Sequence, residues 1–81
     1  MKEAPLIEEK LKRLIAYHFG VSESKITSDT RLVEDLEADW LDRRALILAL
    51  EDEYWIEIPD EDEEKFVTVG DILTYLKEKV K

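Results

Sequence analysis

The fold is decided by residues 39–54, which read DWLDRRALILALEDEY. Strong helix formers fill this stretch, and Asp39 is a good N-cap residue because its carboxylate can accept hydrogen bonds from the first helical turn. We therefore predict a long helix that begins after Asp39 and runs to about Tyr54. Its apolar residues are expected to form one broad apolar face made of Leu41, Ala45, Leu46, Leu48, Ala49 and Leu50.

Three further helices are predicted around this one. The first has Pro5 near its first turn and is ended by Gly20, because apolar residues recur at three- and four-residue steps up to Phe19. A short acidic helix is expected within residues 60–66, after Pro59. The last helix starts at Thr68, which with Asp71 has the spacing of a capping box. The apolar positions of the two long helices are Leu6, Ile7, Leu11, Leu14, Ile15 and Phe19, and then Ile72, Leu73, Leu76 and Val80.

Residues 21–38 form a long connection rich in Ser, Thr and Asp, which are turn-forming residues. Because a structureless loop of this length is unusual in a compact domain, we expect an ordered loop with a helical turn. It is pinned to the core by Val21, Ile26, Leu32, Val33 and Leu36. A brief extended segment is allowed at residues 55–58. The pattern predicts an all-α fold in a single domain over residues 1–81.

Charge and composition limit the functions that this chain can have. The chain has 81 residues, with 12 basic and 21 acidic side chains and a net charge of -9. This charge disfavours binding to nucleic acid and anionic membranes and favours basic protein partners. With no cysteine and one histidine, neither a thiolate nor a histidine-cluster metal site is expected. No apolar run approaches the roughly 20 residues of a membrane span. We expect a cytoplasmic, non-enzymatic protein without a bound metal.

The segment from Val33 to Asp42, VEDLEADWLD, resembles the signature of acyl carrier proteins, where a loop ending in Asp-Ser-Leu opens the second helix. The segment from Leu46 to Tyr54, the Glu57-Ile58-Pro59-Asp60-Glu61 stretch and the helix from Thr68 are similar to that family in order and spacing. The resemblance covers almost the whole chain. It implies an acyl-carrier-like four-helix bundle with three long helices, one short helix and a long loop after the first.

In the acyl carrier family the serine after the Asp carries phosphopantetheine, whose thiol holds the acyl chain. Trp40 stands in that position here. Its indole has an N–H donor and no oxygen to be phosphorylated, so the resemblance implies that phosphopantetheine is not attachable at Trp40. Ser22, Ser24 and Ser28 lie far upstream and lack the Asp-Ser-Leu context.

Other residues near Trp40 also depart from the family pattern. Glu37 stands where the family usually has Gly, Arg43 and Arg44 replace small or apolar residues, and Ala45 replaces a common acidic residue. Residues 51–53 keep the far end of the second helix acidic. The usual partners of a carrier are therefore not implied, and these changes together indicate a rebuilt binding face.

Trp40 has three interpretations: a residue folded back over the core, an anchor for a partner, or an engineered block of the attachment site. We favour the anchor, because tryptophan is enriched among interface hot spots. Trp55 is expected to cover the end of the core. Asp39 lies four residues before Arg43, in the order that favours an ion pair. His18 is expected at the core edge or as a partner of the helix C-terminus.

The sequence therefore favours a non-catalytic protein-interaction or regulatory module, a monomer on its own, linked to fatty-acid or related acyl metabolism. The alternative is an acyl carrier protein of fatty-acid or polyketide synthesis whose attachment serine was replaced by Trp40. An enzyme using the acidic run is disfavoured, because its carboxylates are consecutive along a solvated segment. Binding of free acyl chains between the helices stays open. The expected partner-binding residues are Asp39, Trp40, Leu41, Asp42, Arg43, Arg44, Glu51 and Asp52.

Overall fold

A computed structural model describes residues 3–79, with side chains described from Ile7 onward. Four α-helices follow one another within these residues: α1 (Glu3–Phe19), α2 (Trp40–Tyr54), α3 (Asp60–Glu63) and α4 (Val69–Lys79). A single 3-10 turn, Glu23–Lys25, lies in the loop after α1. Residues 3–79 contain no β-strand, only an isolated antiparallel bridge between Arg31 and Thr68. The predicted all-α class and the predicted order of helices are confirmed.

The core is centred on three pairs of fully buried residues, one pair from each long helix. The members of each pair are four residues apart, so they lie on one face of their helix, one turn apart. The pairs are Leu11 with Ile15, Leu46 with Leu50, and Ile72 with Leu76. The side chain of Leu6 and all of Val80, which were expected on apolar faces, lie outside the described residues. None of the helices within residues 3–79 has the length and apolar character needed to cross a membrane.

The loop after α1 is held to the start of α4 by main-chain hydrogen bonds. Leu32 N donates to Val67 O at 2.9 Å, Val69 N to Thr30 O at 2.9 Å, and Gly70 N to Ser28 O at 2.8 Å. A Cβ at position 70 would lie 2.9 Å from Ser28 O, so glycine permits this close approach. The loop is therefore an ordered part of the fold.

Most of the expected apolar contacts of this loop are present, and one is not. Ile26 and Leu32 are buried, and Val21 and Leu36 are partly buried against the core, as predicted. Val33 is exposed, so its predicted burial is wrong. The N–H groups of Asp35 and Leu36 both donate to Arg31 O, which coils the chain here and turns Val33 outward.

The start of α4 carries the predicted capping box. Asp71 N donates to Thr68 Oγ1 at 3.1 Å, and Thr68 N donates to Asp71 Oδ2 at 3.0 Å. Val67 N donates to the same carboxylate oxygen at 2.9 Å. These hydrogen bonds, chiefly that from Thr68 N, stabilise the ionised carboxylate and lower the pKa of Asp71 below the ordinary value of an aspartate.

We expect Asp71→Ala to lower the free energy of unfolding at neutral pH by about 1 kcal/mol, because the main-chain N–H groups of Val67 and Thr68 lose their carboxylate acceptor. Since the folded-state pKa of Asp71 is lowered, its contribution is full above the unfolded-state pKa and declines as the pH falls through the folded-state value. Urea unfolding at a series of acidic pH values measures the free energy of unfolding of the parent chain and of Asp71→Ala. The difference between the two free energies should become smaller as the pH falls. Glu78→Ala, an exposed acidic position in the same helix, is the control, and a pH-independent Asp71→Ala effect would contradict the assignment.

Candidate partner-binding surface around the second helix

The start of α2 is fixed by a reciprocal cap. Asp42 N donates to Asp39 Oδ1 at 2.8 Å, and Asp39 N donates to Asp42 Oδ2 at 3.1 Å. The N-cap prediction for Asp39 is confirmed, and the cap places Trp40 as the first residue of α2. The Trp40 side chain is not folded back over the core, because the residue is 71% exposed.

Trp40 lines one side of an open groove of about 510 Å³ between α2 and α3. The other lining residues are charged, and they are Arg43, Arg44, Asp60, Glu63 and Glu64. The groove thus combines one large aromatic ring with both signs of charge. We refer to it below as the Trp40 groove.

Arg44 connects α2 to α3 beside this groove. Its Nη1 donates to Glu63 Oε2 and lies 3.4 Å from Asp60 Oδ1. The hydrogen bond to Glu63 is the largest cause of the raised pKa of Arg44. The sequence favoured an ion pair between Asp39 and Arg43. Among the described residues, the Asp39 carboxylate accepts the capping hydrogen bond instead, and the ion pair at this end of α2 joins Arg44 to α3.

His18 connects the end of α1 to the first turn of α2. Its Nε2 lies 3.3 Å from Asp42 O, and its ring packs edge-on against Phe19 with centroids 5.1 Å apart. The half-buried ring is thus at the core edge, as expected. The first turn of α2 is therefore positioned by its own cap, by α1 and by α3.

The acidic end of α2 lies apart from the Trp40 groove. Glu51 Oε2 accepts a 2.7 Å hydrogen bond from Ile58 N, which holds the chain after α2, and Glu53 pairs with Lys10 of α1 at 2.8 Å. Asp52 is exposed. Since it follows Trp40 by twelve residues, the two are about 18 Å apart along the helix axis. The eight predicted residues thus separate into a group of six at the helix start and a distant pair.

Trp55 does not cover the core, so that prediction is wrong. It is the C-cap of α2, with φ 57° and ψ 47°, and it is 92% exposed. Because Trp55 has this left-handed conformation, it is not part of the extended segment that the sequence allowed at residues 55–58. Tyr54 packs against the core instead: it is partly buried, its hydroxyl donates to Ile7 O at 3.4 Å, and burial raises its pKa.

The outer face of α2 was indicated only in part by the sequence analysis, which placed Leu41 and Asp52 among the partner-binding residues. We define it as Leu41, Ala45, Leu48, Asp52 and Trp55, all of which are exposed. Leu41 is 67% and Leu48 53% exposed, so the broad apolar face predicted for α2 is divided between the core and the outside of the bundle. Leu41 and Leu48 are spaced by seven, which places them on one side of the helix, and Trp55 follows at the same interval as the C-cap.

Comparison of the chain with models of known protein families finds no match. The candidate surface is therefore defined by its geometry alone. Three properties stand out: an exposed Trp40 on a fixed helix start, a groove of mixed charge beside it, and an apolar outer face on the same helix.

Replacing Trp55 by glycine is expected to raise the free energy of unfolding by up to about 1 kcal/mol, because a side chain in the left-handed region is strained and glycine is not. Glu37, the other described non-glycine residue at φ 57°, should respond to Glu37→Gly in the same direction. Urea unfolding curves measure both effects. Glu57→Gly, at an exposed loop position, is the control and should not stabilise. If Trp55→Gly destabilises the chain, the contacts of the indole stabilise the folded state by more than the left-handed backbone strain destabilises it.

Proposed function

We propose that this chain is an acyl-carrier-like, non-catalytic interaction module that docks on a protein partner through the start of α2. It takes no phosphopantetheine at position 40. The observation that carries the proposal is the exposed Trp40 directly after the capping Asp39, where the acyl carrier family places its attachment serine. The all-α order of helices supports the same assignment.

The first step of the argument is the loss of the reacting group. Phosphopantetheine is attached through a serine hydroxyl, and an indole offers only an N–H donor. Ser22, Ser24 and Ser28 lie in or beside the loop that packs on α4 rather than at a helix start followed by leucine. The chain thus keeps the general arrangement of a carrier without its acceptor.

The second step is the position of the ring. A tryptophan side chain buries on the order of 150–250 Å² when it enters a pocket, with few rotatable bonds to immobilise. Because the helix start is fixed by its cap and by contacts from His18 and Arg44, little backbone ordering is needed on binding. This combination is what an interface anchor requires.

The third step is the charge around the ring. All four residues of α3 are acidic, and Asp60 and Glu64 are exposed at the groove. With a net charge of -9, the chain attracts basic surfaces. We infer a partner with an apolar pocket for Trp40 and basic side chains at its rim, of the kind found on enzymes of fatty-acid and related acyl metabolism that receive carriers.

Incubation with a phosphopantetheinyl transferase, Mg²⁺ and coenzyme A should leave the mass of this chain unchanged, because position 40 offers no hydroxyl. Mass spectrometry makes the measurement, with an ordinary acyl carrier protein in the same tube as the positive control. Trp40→Ser is the matched variant, and it reports whether the remaining surface is still recognised by the transferase. A mass increase mapped to the unaltered chain would contradict the proposal.

Trp40→Ala should weaken binding to enzymes of acyl metabolism by about 2 kcal/mol or more, the usual size of a hot spot. The measurement is affinity capture of such enzymes on the immobilised chain. Tyr17→Ala is the matched control, since Tyr17 is also an exposed aromatic residue and lies on α1. Equal recovery of every such enzyme by the two variants would show that Trp40 is not the anchor.

A further inference from the structure

We propose that the outer face of α2 binds a second copy of this chain, with the two α2 helices antiparallel and the two-fold axis near Leu48. This goes beyond the proposed function and does not depend on it. Trp40 precedes Leu41 by one residue and so lies about 100° around the helix from it, beside α3 rather than on the outer face. The two surfaces can be tested separately.

The outer face has the composition of a helix-pairing seam. Leu41, Leu48 and Trp55 are each separated by seven residues, the spacing at which side chains of one helix meet a neighbouring helix over its whole length. Ala45 lies between the two leucines, and a small residue there permits close approach. Exposed large apolar side chains in a row on one helix face indicate a surface that is covered in the functional state.

The spacing of these residues is symmetric about Leu48, so the face can pair with the same face of a second copy. Leu41 and Trp55 lie seven residues on either side of Leu48. An isologous dimer places the same patch of both subunits against itself. With the axis near Leu48, the two Leu48 side chains meet at the centre, and each Leu41 lies opposite the Trp55 of the second copy.

Charge selects the antiparallel orientation. Arg44 and Glu51 are seven residues apart and lie along the same edge of the outer face. In an antiparallel pair the same edges of the two helices face each other, so Arg44 of each copy meets Glu51 and Asp52 of the other. A parallel pair would bring opposite edges together, so Arg44 would not meet Glu51 of the other copy, and it would place Asp52 against Asp52 at the centre of the face, which is repulsive.

The intrachain contacts of these two residues are compatible with the arrangement. Arg44 contacts α3 through Nη1, and a guanidinium carries five N–H donors in all. Glu51 accepts from Ile58 N through Oε2, so its Oε1 can still accept a further bond. Arg44 and Glu51 therefore need not give up their intrachain contacts to pair across the dimer.

The dimer is expected to be weak. A single pair of 15-residue helices buries an area near or below the ~1,200 Å² at the low end of specific interfaces. Each copy also carries a net charge of -9, so the two repel each other over the whole surface. Raising the ionic strength to about 0.15 M screens this repulsion beyond about 8 Å. The dimer departs from the monomer expected from sequence, which indicated the outer face only in part.

Sedimentation equilibrium at about 0.15 M salt is the first test, and the average mass of the full chain should rise towards that of a dimer as its concentration increases. Leu48→Glu is expected to raise the dimer dissociation constant at least tenfold. Val67→Glu adds the same charge at an exposed apolar position outside α2, and it should leave dimerisation unchanged. A monomer mass at every concentration, or a Leu48→Glu variant that dimerises like the parent, overturns the proposal. Far-UV circular dichroism checks that each variant stays helical.

Cysteine cross-linking tests the orientation, because the chain has no cysteine of its own. A disulfide requires Cα atoms within about 7 Å. Leu48→Cys should therefore cross-link with itself rapidly, and Leu41→Cys should cross-link with Trp55→Cys when the two are mixed. Val67→Cys sets the background rate. Faster self-cross-linking of Leu41→Cys than of the mixture would overturn the antiparallel arrangement, and a background rate for Leu48→Cys would overturn the interface.

Discussion

The burial of Leu46 and Leu50 in the core is the constraint on which the rest of the surface depends. Once these two residues lie in the core, the turn of about 100° per residue fixes the direction of every other side chain on α2. Arg44 is brought beside α3, and Leu41, Leu48 and Trp55 face away from the bundle. One rotation angle thus produces both the Trp40 groove and the outer face.

The start of α2 is fixed by local and long-range contacts together. The cap of Asp39 with Asp42 sets the first turn, and His18 reaches its backbone from α1. The loop before it is held to α4 by main-chain hydrogen bonds and cannot drift away from the core. An exposed ring at this position therefore costs little ordering when a partner binds.

Sequence predicted the features that depend on neighbouring residues. The N-cap at Asp39 and the capping box at Thr68 each involve residues three apart, and the core pairs involve residues four apart. The exposed Trp55 could not be predicted in this way, since its direction depends on the left-handed turn that ends α2. The pairing of Arg44 with α3 joins residues 19 apart in sequence and requires the packing of the two helices.

The exposure of Leu41, Ala45 and Leu48 has a physical origin. Apolar residues occupy so much of α2 that they surround most of the helix, whereas only one face, that of Leu46, Ile47 and Leu50, is buried in the core. A broad apolar pattern in such a helix therefore indicates two faces, one for the core and one for another molecule. The residues that the core leaves outside are the ones to examine for binding.

The two proposed surfaces of α2 have a geometric relation that any partner must satisfy. Trp40 precedes Leu48 by eight residues, so each Trp40 lies about 12 Å along the helix from an axis near Leu48. In an antiparallel dimer the two Trp40 grooves are then about 24 Å apart in that direction. A partner with two equivalent pockets at this separation would bind both at once and gain avidity without any new contact. A partner with one pocket would gain nothing, so the symmetry of the partner decides whether dimerisation strengthens docking.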